Sequence, residues 1–92
     1  MSIVSQQIGP DTFEVTIRDT DGETRHGVAL TDTLLRELTG GKSSKEDCVR
    51  AVFHFLLDRG PRASIMPRFD VAMIETRFPD FREKLPRFFS PS

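Results

Sequence analysis

The 92-residue chain has no tryptophan and no tyrosine, a single cysteine and only two histidines. Each scarcity removes a class of chemistry. A lone Cys48 cannot close an intrachain disulfide, and its isolation fits a reducing compartment, so the cytoplasm is the expected location. With only His26 and His54, no Cys/His set has metal-ligand spacing, and neither a metal nor a cofactor is expected. All eight aromatic residues are Phe, which brings apolar area without a polar tip. Binding surfaces favour Tyr, Trp and Arg, so this aromatic content reads as packing material. No apolar run approaches the ~18–20 residues of a membrane span. The opening MSIVSQQIGP lacks both the basic and the apolar region of a secretory signal.

Net charge is equally spare. Thirteen basic and fourteen acidic residues leave −1, which gives no overall basic field for nucleic acid. Residues 1–59 hold 7 Lys/Arg against 10 Asp/Glu, and residues 60–92 hold 6 against 4, a tilt too small to name a partner.

The patterns that are present describe one small domain over residues 1–92, with no repeat and no linker. FEVTIR (13–18) alternates Phe13, Val15 and Ile17 with Glu14, Thr16 and Arg18, the period of a half-buried strand. Asp21-Gly22 suits a two-residue hairpin turn, pairing Phe13 with Leu30, Val15 with Val28 and Ile17 with His26. That register sets Arg18 against Arg25, an unfavourable pair, so a wider loop over 19–22 stays open. The hairpin spans about 13–30, and residues 3–8 are a candidate third strand.

Helical signals follow. Thr31 caps a helix over about 32–39 that stops at Gly40-Gly41. Ser43 with Glu46 forms a capping box, Ser44 competes, and a helix runs over about 45–59 to Gly60-Pro61. Its apolar set, Cys48, Val49, Val52, Phe53, Phe55, Leu56 and Leu57, wraps more than half the surface, so elements should cover it on two sides. Ser64 is a candidate start for a single turn. Asp70 caps a helix over about 71–77, with Phe69 and Ile74 at the spacing of a hydrophobic staple. Asp80 with Glu83 resembles another capping box, for a helix over about 80–85 that Pro86 ends. A tail over 86–92 remains. The expected fold is α+β, an N-terminal β-hairpin packed on a layer of three or four short helices.

No catalytic constellation emerges. GGKSS (40–44) lacks the glycine five positions before Gly41 and the preceding strand of a phosphate-binding loop. Cys48 and His54 lie about 120° apart around their helix and cannot share a reacting atom, while His54 and Asp58 are i, i+4 surface neighbours. The chain is therefore expected to be no enzyme.

The stretch 68–89 sets Arg beside Phe four times: Arg68-Phe69, Arg77-Phe78, Phe81-Arg82 and Arg87-Phe88. Such interleaving can grip nucleic acid. Phe69, Phe78 and Phe81, however, sit at helix starts and ends where packing needs bulk, and Asp70, Glu75, Asp80 and Glu83 would repel phosphates. Phe88 and Phe89 have no predicted element after them. Either the tail folds back over them, or Arg87, Phe88 and Phe89 form an apolar patch that a protein partner covers.

Two resemblances add to this. TRHGVALTDTLLRELTGGKSSKEDCVRAVFHFLLDRG (24–60) resembles a ribbon-helix-helix unit, with Val28, Leu30, Leu34, Leu35, Leu38, Val49, Val52, Phe53 and Leu56 at its core positions. It implies a homodimeric DNA-binding or antitoxin-type regulator whose paired strands enter the major groove, with Arg25 as the one side chain able to read a base edge. SIMPRFDVAMIETRFPDF (64–81) resembles the end of short, functionally unassigned bacterial proteins of similar length, which implies a standalone domain. The leading expectation is a small non-enzymatic domain acting through protein–protein contacts, as monomer or homodimer, with the regulator as the alternative.

Overall fold

Alternation in FEVTIR becomes a strand, β2 (Thr12–Asp19), in which Phe13, Val15 and Ile17 are all buried. In the computed structural model, which describes residues 2–89, this strand lies inside a four-stranded sheet. Its neighbours are β1 (Ser2–Gln7) and β3 (Gly22–Ala29), both antiparallel to it. The short β4 (Arg68–Asp70) runs parallel to β3 and completes the order β1-β2-β3-β4. Helices α1 (Asp32–Thr39), α2 (Lys45–Arg59), α3 (Val71–Arg77) and α4 (Phe81–Lys84) supply the rest, with 3-10 turns at Arg62–Ser64 and Leu85–Phe88. The fold is α+β.

The hairpin register differs from the sequence expectation by two residues. Phe13 lies opposite Val28, Val15 opposite His26 and Ile17 opposite Thr24, so the turn residues are Thr20 and Asp21. A shift of two keeps every side chain on its face. It also removes the clash that the expected register carried: Arg18 now faces Glu23 and donates to its carboxylate at 2.6 Å. Asp19 closes the turn, its Oδ1 accepting from the amides of Asp21 (2.8 Å) and Gly22 (3.1 Å). Gly22 takes φ +146°, a conformation that L side chains rarely adopt.

Residues 3–8 do contribute a strand, at 2–7, and β4 was not foreseen at all. Three residues carry no periodicity. β4 is instead held from outside, by the Gly27 amide donating to the Pro67 carbonyl at 2.7 Å and by His26 next to it. The His26 ring is buried against Phe53, donates from Nδ1 to the Met66 carbonyl (2.9 Å) and accepts at Nε2 from the Thr24 hydroxyl (3.0 Å).

Helix ends follow their caps. Thr31 accepts from the Leu34 amide, and Gly40 closes α1 at φ +67°. Ser44, not Ser43, caps α2, accepting from the Asp47 amide at 3.1 Å. Ser64 ends its 3-10 turn where the sequence suggested a start. Asp70 accepts from the Ala72 amide. Asp80 makes no side-chain cap bond, because its carboxylate is drawn to Arg59 at 2.5 Å. Pro86 does not end the chain's winding at 85: α4 stops at Lys84 and tightens into the following 3-10 turn.

The core lies between the sheet and α2, whose Cys48, Val49, Ala51, Val52, Phe53 and Phe55 are buried. Lys45 ties three elements, reaching the Pro10 carbonyl, Asp11 (2.7 Å) and Asp32 (2.9 Å).

Candidate functional site

Little apolar area is left outside this core. Of the large hydrophobics, only Val4, Ile8, Met66 and Met73 are exposed among the described residues. Met66 and Met73 line one cleft of about 370 Å³. Its walls come from the end of α2, the link through Pro61 and Ile65, and α3, so a helix stop, a 3-10 turn and an N-capped helix jointly shape it. Phe69 and Ile74 form buried parts of its lining, and Arg59 and Arg77 add positive charge.

Arg59 is held in place by several groups. Its guanidinium carbon lies 4.8 Å from the centre of the Phe55 ring and 5.7 Å from that of Phe78, and its Nη2 donates to Asp80. The same contact holds the Asp80 carboxyl below the usual carboxylate value. Thioethers are soft and adaptable, so Met66 and Met73 can shape themselves to different apolar groups. The arrangement offers apolar contact with cationic margins, and it contains no nucleophile–base pair.

Of the phenylalanines singled out in the sequence, Phe69 and Phe78 line this cleft and the others fall elsewhere. Phe69 and Phe81 are buried, and Phe78 is half-buried and T-shaped to Phe55. Phe88 also packs T-shaped with Phe55, with centroids 5.8 Å apart, and both Phe88 and Phe89 are half-buried against the core. Of the tail trio only Arg87 is exposed. Cys48 is fully buried, and burial pushes its thiol up to about 11, away from nucleophilic chemistry. His54 and Asp58 are exposed. Among the described residues no group of three or more His, Cys, Asp or Glu could hold a metal ion. No described helix is long and apolar enough to cross a membrane.

Arg25 is exposed beside Glu23, at 3.6 Å, and lines a shallow trough over the open sheet face with Arg68, Glu14 and Ile8. β3, the strand that would form the paired ribbon, has both edges taken, by β2 and by β4. A ribbon between subunits needs one of those edges open.

No family model, curated protein or solved structure matches the chain. The cleft was not legible beforehand, since its walls come from residues 56–78 brought together by β4. The advance signal was weak: Ile65, Met66 and Met73 are large apolar residues outside every apolar set read from the sequence, and so are others that do not line the cleft.

Proposed function

We propose that the protein is a non-enzymatic binding module that works through protein contacts, and that its partner docks in the Met66/Met73 cleft. The observation that carries this reading is the exposure of those two side chains, 37% and 53%, on a concave surface. Exposed apolar area that rims a cleft is where partners bind. The partner chemistry follows from the margins: an apolar side chain for the cleft floor, flanked by a carboxylate for Arg59 or Arg77. The tail reading has less to support it, because Phe88 and Phe89 already rest on the core, leaving Arg87 as its exposed member.

Photo-crosslinking in cells tests the cleft. A benzophenone amino acid at position 73 should give one discrete adduct, and the same group at exposed Arg87 or Glu46 should not. Adding Arg77→Glu should lower the yield at 73 by about tenfold or more. Equal adducts at all three positions, or none at 73, would end the proposal.

A further inference from the structure

β1 is the outer strand of the sheet, and it lacks the devices that usually blunt an edge. Ser2–Gln7 reads SIVSQQ, with no charged residue and no proline. Natural edges are protected by just those residues, by bulges or by cover. β4, at the other edge, is only three residues long and leads directly into α3.

The hydrogen-bonding phase of β1 can be worked out. The Ile8 amide donates to the Thr12 carbonyl at 2.9 Å, which extends the register of Gln7 opposite Phe13. Bonded pairs alternate along an antiparallel ladder, so Gln6, Val4 and Ser2 also direct their amides and carbonyls toward β2. The other hairpin ladder agrees, since the Leu30 amide donates to the Asp11 carbonyl, which turns the odd residues of β2 toward β3. Ile3, Ser5 and Gln7 therefore point their backbone groups outward. No backbone partner reaches them among the described residues.

One side chain in this strand lacks a partner as well. The Ser5 Oγ is buried and has no hydrogen bond. Ser5 lies opposite Val15, so it shares the helix-covered face of the sheet. Buried hydroxyls without a partner are rare and costly.

We infer that β1 pairs antiparallel with β1 of a second copy of this chain, about a two-fold axis through Ser5, to give a continuous eight-stranded sheet. The register is self-consistent. Ile3 bonds with Gln7 of the copy, Ser5 with Ser5, and Gln7 with Ile3, so all the outward-facing odd residues are used. Val4, 59% exposed, comes to lie against Gln6 of the copy. After rotation about χ1, which frees each Ser5 hydroxyl from under its own chain, the two meet on one face, where directly opposed side chains hydrogen-bond. A two-fold axis through Val4 would use fewer residues and leave Ser5 opposite Ile3, its hydroxyl still unpaired. The pairing requires no cleft residue, so it stands or falls apart from the docking site.

Static light scattering at about 100 µM should give twice the 10.4 kDa chain mass. Ser5→Pro removes an outward amide without touching the β2 ladder and should halve the mass, with circular dichroism unchanged. Ser5→Cys should form a covalent dimer on mild oxidation, since bonded opposite residues stand about 5.5 Å apart, within disulfide reach. Val4→Cys should not, because the two Val4 positions lie diagonally at roughly 8 Å. The native Cys48 is fully buried and adds no background. A monomeric mass for the natural chain overturns the inference. So does a dimer that survives Ser5→Pro, or cross-linking by Val4→Cys as efficient as by Ser5→Cys.

Discussion

Asp19 does the work of several residues. Its carboxylate accepts from two turn amides and also receives Arg62, Nε to Oδ2 at 2.7 Å, across 43 positions of chain. The Arg62 hydrogen bond is the main reason its carboxyl sits below the ordinary value of 3.8. Arg18 does the same for Glu23, and Arg59 for Asp80. A carboxyl whose folded value is depressed stabilises the fold above its unfolded value, and that contribution is lost as pH falls through the folded value. The three carboxyls shift in the same sense, so stability should fall as the pH drops below about 4. Asp19→Asn should flatten part of that acid limb while lowering stability at neutral pH. Urea midpoints taken from pH 2.5 to 7 measure both effects. An unchanged acid limb in the variant would mean that the Arg62 contact is not formed in solution.

Two aspartates that looked alike in the sequence separate at the scale of elements. Asp70 and Asp80 each stand before a helix, and Asp80 even has the Glu three positions on that completes a capping box. Only Asp70 caps, with its Oδ1 2.9 Å from the Ala72 amide. Asp70→Ala should therefore cost about 1 kcal/mol through α3. Asp80→Ala should act on Arg59 instead, loosening that guanidinium over Phe55 and Phe78 and shifting adduct yield at position 73. Denaturant melts of the two variants, read beside their cross-linking, distinguish the roles. Local signals reached the helices well, because Thr31, Gly40 and Asp70 act on their own neighbours. They reached the sheet only in part. Alternation placed β2, but the register goes with the Arg18–Glu23 pair and the Asp19 turn, and β4 is held by Gly27 and His26, distant in sequence. The cleft inherits that dependence, since β4 positions its walls.

Across the whole molecule, both ends of the described chain converge on the central helix. β1 brings Ile3 onto the core at one end, and the final 3-10 turn brings Phe88 onto Phe55 at the other. Phe55 thus makes three T-shaped ring contacts, with Phe78, Phe81 and Phe88, with centroids between 5.1 and 5.8 Å. Edge-to-face contacts add to area burial, so the last ring is coupled to Phe78 after α3 and Phe81 at the start of α4 through one shared partner. Such a shared cluster should make the fold lose stability as a unit when its outermost ring is removed. Phe88→Ala should cost about 2 kcal/mol, which in a domain of this size lowers the melting temperature by roughly 8–16 °C. Arg87→Ala, one position earlier and exposed, should leave it within about 0.5 kcal/mol of the natural chain. Thermal melts followed by circular dichroism decide between two roles for the tail. A large loss at Phe88 with none at Arg87 makes these residues part of the core. An unchanged melting temperature in Phe88→Ala would return the ring to the surface and restore the tail as a docking candidate.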